Sequence, residues 1–215
     1  MAVIEGGASG ALVNVETDKK AARVVLAGRG VGYCVSSVTG TIAAALAANS
    51  SVFAMRLDPS AGSTLAFIER VRLQYTTIVA YTTPVTAGRR LAIYRGSGAA
   101  ASGGTALATA AQKDSTSSPS ECNSAQGGDM RIATTGALTV TGITYETQEF
   151  ATMPLVHVRA AGGFLEQIFE FSTTESTPLV LQPGQLLAIR NPAAMDAAGT
   201  WQLAVRVDWH EAAAW

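Results

Sequence analysis

The sequence predicts an all-β protein with the architecture of an antiparallel β-sandwich. Three observations support this prediction. Apolar and polar residues alternate with a period of two in many segments, turn-forming Gly, Pro, Asn and Asp separate these segments, and amphipathic helical patterns are almost absent. The segments give roughly eight to ten strands at the spacing of a sandwich.

The clearest strands lie between residues 164 and 211, in the segments FLEQIFEF, TPLVLQPGQLLAIRNP and GTWQLAVRVDWHE. We expect three or four strands here, forming one antiparallel sheet with one buried face. Pro183 and Gly184 suit the central positions of a type II turn, because proline presets φ and glycine accepts a positive φ. In the last segment, the residues predicted to share the buried face are Trp201, Leu203, Val205, Val207 and Trp209.

The first 30 residues are predicted to form an extended N-terminal arm, and residues 31–215 a single β-sandwich domain. The arm is rich in Gly, Ala and short polar residues and has too few bulky side chains to fold alone. Either the arm is disordered, or a neighbouring subunit orders it. The second alternative makes Leu12, Val13 and Val15 candidate interface residues.

The middle of the chain contains further segments with strand character. We expect a hairpin whose strands are residues 41–46 and 52–57, with a short helix through the alanines at 43–48 as the competing interpretation. Residues 65–83 form a long run of alternating apolar and polar side chains, and residues 90–94 form a shorter one. Each run predicts a strand.

Residues 96–128 are the least hydrophobic part of the chain, being rich in Gly, Ala, Ser and Thr. They predict a long surface loop, a kind of segment that is usually functional or mobile. Its glycine-rich start lacks the Lys that a phosphate-binding P-loop places before Ser or Thr. Strands are predicted to resume at residues 130–133, 137–147 and 153–159.

Composition limits the classes of partner. Hydrophobic residues make up 48% of the 215 residues and charged residues only 14%, so we expect other subunits to cover part of the surface. The 15 basic and 16 acidic residues nearly cancel, and no Lys/Arg run exceeds two, which argues against nucleic-acid binding. The longest apolar stretch, residues 42–48, is too short to span a bilayer. The sequence therefore predicts a soluble protein made in the cytoplasm, without a membrane partner.

The residues suited to chemistry do not form a recognisable site. Cys34 and Cys122 are far apart in the sequence and predict two reduced structural thiols. Histidine occurs only at positions 157 and 210. His210 has Asp208 on its own strand face and Glu211 on the opposite face, which is a poor arrangement for a metal or for acid–base catalysis.

No hydrolase nucleophile motif is present either, because the chain contains no G-x-S-x-G. A glycosidase needs two carboxylates at a set separation, and Glu166, Glu170 and Glu175 cannot be paired in space from the sequence. Solvated or interface charges are the simpler interpretation of these three residues. We therefore predict no enzyme activity, no cofactor and no metal.

Three stretches together resemble virion structural proteins of tailed bacteriophages: residues 39–59, residues 67–96, and the closing LQPGQLLAIRNP with WQLAVRVDWHE. The resemblance is to the small β-sandwich proteins that decorate or cement the capsid. It implies a jelly-roll-like sandwich, a homotrimer, and a seat on the major capsid protein at the virion exterior after synthesis in the host cytoplasm.

A cement protein stabilises the shell through contacts repeated around a symmetric lattice, so modest contacts add up to a large total. The arm and Trp215 fit such a role, since tryptophan is enriched in buried interface centres. A frayed tail is the alternative interpretation of Trp215. The alternative function is a receptor- or glycan-binding head of a phage tail appendage.

Overall fold

The computed structural model describes residues 5–6, 11–12, 14–16, 21–23, 31–43, 45–82, 88–112, 119–155, 160–171 and 179–213. Its strands are β1 (Glu5–Gly6), β2 (Ala11–Leu12), β3 (Asn14–Glu16), β4 (Ala21–Arg23), β5 (Val31–Val38), β6 (Ser50–Arg56), β7 (Thr64–Val79), β8 (Arg90–Gly98), β9 (Thr105–Ala106), β10 (Ala111–Gln112), β11 (Asp129–Ile132), β12 (Ile143–Tyr145), β13 (Ala151–Pro154), β14 (Phe164–Glu170), β15 (Leu179–Leu181), β16 (Gln185–Asn191) and β17 (Thr200–Ala213). A single 3₁₀ turn, Ser124–Gln126, is the helical element of the described ranges. Within those ranges, no helix has the length and apolar character that crossing a membrane requires.

Two antiparallel sheets pack face to face, which confirms the predicted all-β sandwich. Sheet 1 has the order β10-β5-β17-β7-β14, and β15 pairs with β7 beyond β14. Sheet 2 has the order β12-β8-β16-β6-β11-β9, and β13 also pairs with β8. The hairpins β1-β2 and β3-β4 pair only locally among the described strands.

The strand order is that of a jelly roll. The four central strands of sheet 1 are β5, β17, β7 and β14, and those facing them in sheet 2 are β6, β16, β8 and β13. When these eight strands are taken in chain order, each lies in the sheet opposite to the strand before it, except that β13 follows β8 in sheet 2. The first of the eight, β5, pairs with the last, β17. This wrapping of two Greek keys is what distinguishes a jelly roll from a stack of hairpins.

The core lies between the two sheets. The predicted inward face of β17 is confirmed, because all five of its apolar residues are at most 1% exposed: Trp201, Leu203, Val205, Val207 and Trp209. The Trp201 ring stacks on Tyr75 of β7 at a centroid distance of 5.2 Å. The Tyr75 hydroxyl is in turn hydrogen-bonded to the Tyr81 hydroxyl at 2.7 Å, so the buried ring keeps a polar partner.

The outer face of sheet 2 is covered by the protein's own side chains. Gly96 allows the ring of Tyr145 to lie against the sheet, since a Cβ at Gly96 would be 2.9 Å from that ring. The Tyr145 hydroxyl bonds Ser51 on β6 at 2.9 Å, and the Arg190 guanidinium lies 3.9 Å above the Tyr145 ring. Small residues beneath these groups, such as Ala188, are therefore buried.

The C-terminal segments do not form one sheet, contrary to the prediction. β14, β15 and β17 belong to sheet 1, whereas β16 pairs with β6 and β8 in sheet 2. The turn at Pro183-Gly184 is confirmed: Gly184 has φ 78° and the Gln185 N–H donates to the Gln182 carbonyl at 2.8 Å. This turn connects the two sheets instead of closing a hairpin. Alternation within a segment is local and does not reveal which sheet the segment joins.

The predicted hairpin over residues 41–46 is also wrong. The segment between β5 and β6 crosses from sheet 1 to sheet 2, and its only ladder contact in the described part is a bridge between Ile42 and Trp201. Ile42 and Leu46 are buried and anchor the crossing. Asn49 turns the chain into β6 with φ 64°, a conformation that Asn tolerates.

The predicted surface loop at residues 96–128 is exposed over most of its described length, but parts of it pack against the two sheets. β9 extends sheet 2 and β10 extends sheet 1, while Ser120, Cys122 and Asn123 are buried. The predicted strand at residues 137–147 is reduced to β12 and two bridges, Leu138 with Ser51 and Thr139 with Ser102.

We expect Trp201→Ala to lower the free energy of unfolding by about 3–5 kcal/mol, since it removes a fully buried indole and leaves a cavity against Tyr75. Urea denaturation at fixed protein concentration measures the change. The control is Gln202→Ala on the outward face of the same strand, expected within about 0.5 kcal/mol of the unchanged protein. Equal effects of the two substitutions would contradict the inward assignment of Trp201.

Candidate interaction surface

The outer face of sheet 1 carries four of the residues that the sequence singles out, Asp208, His210, Glu166 and Glu170. β17 directs alternate residues outward, among them Arg206, Asp208 and His210, between β5 and β7. Arg72 of β7 lies opposite Arg206, and Glu166 of β14 lies opposite Gln74, the next outward residue of β7. A shallow depression lies between Ser36, Arg72 and Arg206. This face is therefore polar at its centre.

Asp208 is the buried centre of an ion-pair cluster. Its carboxylate is 1% exposed and accepts hydrogen bonds from Arg206 Nε at 3.1 Å, Arg206 Nη2 at 3.0 Å and Arg70 Nε at 3.3 Å. The hydrogen bond to Asp208 raises the pKa of Arg206 above its usual range. Paired charge-assisted bonds of this kind fix a carboxylate in place. Asp208 therefore fastens β17 to β7 across the outer face.

His210 and Glu211 point away from each other, as predicted. His210 Nδ1 lies 3.2 Å from Glu69 Oε1, and its ring stacks on Phe67 at 4.8 Å. Glu211 lies on the inward side with Trp209 and bonds that indole. The three side chains suspected of forming a site at this strand end are thus divided between two faces. Among the described residues, no group of three or more His, Cys, Asp and Glu side chains is placed to hold a metal ion.

Glu166 is engaged by basic and amide groups. Arg72 Nε lies 2.6 Å from Glu166 Oε1, and Gln74 Nε2 donates to Glu166 Oε2 at 3.0 Å. The hydrogen bond from Arg72, followed by that from Gln74, lowers the pKa of this carboxyl. Glu170 lies opposite Arg70 in the β14-β7 ladder, and Glu175 lies outside the described residues. The predicted interpretation of Glu166 as an interface or surface charge fits this geometry.

Exposed apolar side chains collect on sheet 1. The five large hydrophobic residues that are exposed within the described ranges all belong to its strands β5, β7 and β14: Val38, Ile78, Val79, Phe164 and Ile168. The first four lie at one end of the sheet, because Val38 pairs with Ala204, Phe164 with Thr76 and Val79 with Thr200. We call Val38, Ile78, Val79 and Phe164 the apolar end.

The apolar end spans the width of the sheet. Val38 on β5 and Phe164 on β14 are separated by three strand spacings, about 14 Å. Their exposed fractions are 56% and 57%, and that of Val79 is 50%. Phe164, Ile78 and Val79 lie close together, and Val38 is separated from them by Gln202 and Gln74. Exposed apolar residues gathered in one region mark interaction sites in soluble proteins, whereas single exposed apolar residues do not. The apolar end is therefore the candidate interaction surface.

The apolar end was missed at the level of the sequence, although a signal existed. Phe164 and Ile168 share strand parity with Glu166 and Glu170, so two large apolar residues occupy the face that the pattern assigns to polar ones. At the end of β7, Ile78 and Val79 are consecutive and break the alternation. Apolar residues in the polar phase of a strand indicate a contact surface.

The folded part of the 96–128 segment is held by Glu211. Its Oε1 accepts hydrogen bonds from Ser120 Oγ at 2.6 Å and from Trp209 Nε1 at 3.0 Å, and its Oε2 accepts one from the Glu121 backbone N–H at 3.0 Å. Burial raises the pKa of the neighbouring Cys122 thiol well above its usual range, so the thiol stays protonated and unreactive. Both cysteines are free, in agreement with the prediction of two reduced thiols.

The four predicted interface residues are not tested by the structure. Leu12 lies in β2 opposite Glu5, and Val15 lies in β3 opposite Ala22, with only their backbones described. Val13 and Trp215 lie outside the described residues, as does His157. A role for these residues in contacts with other subunits stays a prediction.

No protein-family model matches the chain, and no curated protein matches it.

We expect Glu211→Ala to lower the free energy of unfolding by about 1–3 kcal/mol, because it leaves the buried donors of Ser120 and Trp209 without their acceptor. Hydrogen exchange of residues 119–128 should accelerate. The control is Glu146→Ala, which removes an exposed ion pair with Arg95 and should cost no more than about 1 kcal/mol. Unchanged exchange in residues 119–128 would show that Glu211 does not hold the segment.

We expect Glu121→Gln to stabilise the protein at neutral pH. Burial, then the carboxylates of Glu211 and Asp58, raise the pKa of Glu121 above its usual range. A carboxyl that binds its proton more tightly in the folded state lowers stability once it is ionised, at pH values above the raised pKa. Unfolding measured from pH 4 to pH 8 should show the gain at the upper end and its loss as the pH falls. A gain that is equal at both ends would exclude this electrostatic cause.

Proposed function

We propose that the protein is a structural component of a phage virion that decorates the capsid, binds the major capsid protein and stabilises the shell. The observation that carries this proposal is the apolar end of sheet 1. It offers Val38, Val79 and Phe164, each at least 50% exposed, to a partner. Burying such side chains against a neighbour is favourable by about 25 cal/mol per Å² of apolar surface.

Two further features support the proposal. The jelly roll is an architecture that capsid domains use, although a fold by itself does not establish a function. The chain is also poor in charge, with 14% charged residues, so a weakly charged surface is available for contacts with subunits. A decoration protein is repeated around the shell, so modest contacts at each copy give a large total.

The alternative function, a receptor- or glycan-binding tail appendage, requires aromatic side chains clustered on exposed loops. Among the described aromatic residues, Phe164 alone is exposed, and it lies on strand β14. This observation gives the alternative no support from the described residues. We therefore propose the decoration role alone.

The proposal is tested by co-sedimentation of the purified protein with empty capsids from the phage in whose virions mass spectrometry finds it. We expect the unchanged protein to bind and to increase the resistance of the capsids to heat. The double substitution Val38→Asp with Val79→Asp should weaken binding tenfold or more, about 1.4 kcal/mol, because it places charge in the contact.

The matched control is Thr105→Asp, at an exposed position on β9 of sheet 2, which should bind as the unchanged protein does. Absence of the protein from virions, or capsids that are equally robust with and without it, would overturn the decoration role. Binding that survives the double substitution would move the contact away from the apolar end.

A further inference from the structure

β14 is an edge strand with an open side. It is seven residues long and pairs with β7 along one side, and no described strand pairs with its other side. The other outermost strands of the described part, β9, β10, β12 and β13, have between two and four residues. β15 lies next to β14 on the same edge of the sheet. There, Arg95 Nη1 donates a hydrogen bond to the Val180 carbonyl at 3.1 Å, which occupies an acceptor that a further strand would need.

Alternate residues of β14 have backbone N–H and C=O groups that do not bond β7 and are directed to the open side. At the two ends of the strand, the Thr77 N–H donates to the Gly163 carbonyl and the Phe171 N–H donates to the Glu69 carbonyl, both at 2.8 Å. Odd-numbered residues therefore bond β7, because the bonds of an antiparallel ladder alternate. The N–H and C=O groups of the even-numbered residues, Phe164 to Glu170, point toward the open side.

The backbone of β14 presents no obstacle to a further strand. The strand contains no Pro or Lys, and its ladder with β7 has no bulge, although these are devices by which native proteins protect an edge. Its two charged residues, Glu166 and Glu170, lie on the outward face, and Glu166 is already paired with Arg72. On the inward side, Leu165 and Phe169 are only half-buried, although both pack against the core. A second strand placed beside β14 would complete the cover of these two side chains.

The sequence of β14 fits a second copy of itself in antiparallel orientation. When Gln167 lies opposite Gln167 of the other copy, all seven residues pair. Leu165 then lies opposite Phe169 on the inward side, while Phe164 lies opposite Glu170 and Glu166 opposite Ile168 on the outward side. Apolar side chains meet across the inward face, and no carboxylate lies directly opposite another.

Neighbouring registers are worse. A shift by two residues in one direction places Glu166 opposite Glu166 of the other copy, and a shift in the other direction places Glu166 opposite Glu170. Like charges directly opposite each other destabilise a ladder. A shift by one residue reverses the inward and outward faces. The register centred on Gln167 is therefore favoured, because it avoids pairs of like charges and because it pairs all seven residues of β14.

We propose that two copies of the protein associate through β14, paired antiparallel about a twofold axis at Gln167, so that the two copies of sheet 1 form one continuous sheet. The interface is isologous, as in most homodimers. It does not depend on the proposed role at the capsid. The trimer implied by the resemblance requires a different, head-to-tail contact.

The first test is a charge substitution at Ile168, which is 48% exposed and lies opposite Arg72 in the ladder with β7. Because Lys at this position would lie opposite Arg72 within its own chain, urea denaturation first checks that both variants are folded. In the dimer this position faces Glu166 of the other copy, twice by symmetry. Ile168→Glu should weaken dimerisation about tenfold or more, and Ile168→Lys should retain it. Sedimentation over a range of concentrations measures both against the unchanged protein, which should approach twice its mass of 22.1 kDa.

The second test is a cross-link at the axis. Gln167 occupies a non-hydrogen-bonded position on the open side, where the two Cα atoms of a pair lie about 4.5 Å apart, within the range of a disulfide. In a Cys34→Ser background, Gln167→Cys should form an interchain disulfide on mild oxidation. The control, Phe164→Cys, lies far from its symmetry mate and should not.

Several outcomes would overturn the proposal. They are a monomer at all concentrations, a trimer, equal effects of Ile168→Glu and Ile168→Lys, or no cross-link at Gln167→Cys. A complex in which β14 pairs only with a segment of another protein would overturn it as well. A dimer with the charge-dependent response and the cross-link at residue 167 establishes it.

Discussion

The structure depends on the placement of β17 between β5 and β7. This strand is paired on both sides over most of its length, so its inner and outer faces are both fixed. Its inner face supplies two fully buried indoles, Trp201 and Trp209, to the core, and its outer face supplies Asp208 to the ion-pair cluster. At its end, Glu211 holds the segment that follows β10. The core packing, the ion-pair cluster on the outer face and the position of the segment after β10 thus all depend on β17.

The sequence reveals local features of this arrangement and conceals the non-local ones. The alternation of β17 is predictable because a strand with one buried face must repeat every two residues. The partner of a strand is not encoded in that pattern, so the prediction that β16 shares a sheet with β17 is wrong. Burial of Ser120 and Asn123 also escaped prediction, because small polar residues are buried only where distant partners bond them, as Glu211 bonds Ser120.

The candidate surface illustrates the same limit. Phe164 and Ile168 are visible in the sequence as apolar residues in a polar phase, which marks β14 as unusual. Only the registers of three ladders show that Val38 and Val79 lie at the same end of the sheet. A pattern of exposure therefore identifies single residues in advance, but only the topology shows that they form one surface.

The covering of sheet 2 by Tyr145 and Arg190 makes the molecule one-sided. One sheet is covered by the protein's own side chains. The other presents exposed apolar side chains and an edge, at β14, that no described strand pairs. A twofold axis that continues a sheet through its edge runs perpendicular to that sheet, so it leaves both closed sides facing the same way. A pair formed in this manner therefore has two different sides. Both apolar ends lie on the side formed by the outer faces of the two copies of sheet 1. A single flat partner can contact both there, with the gain in avidity that bivalent contact brings.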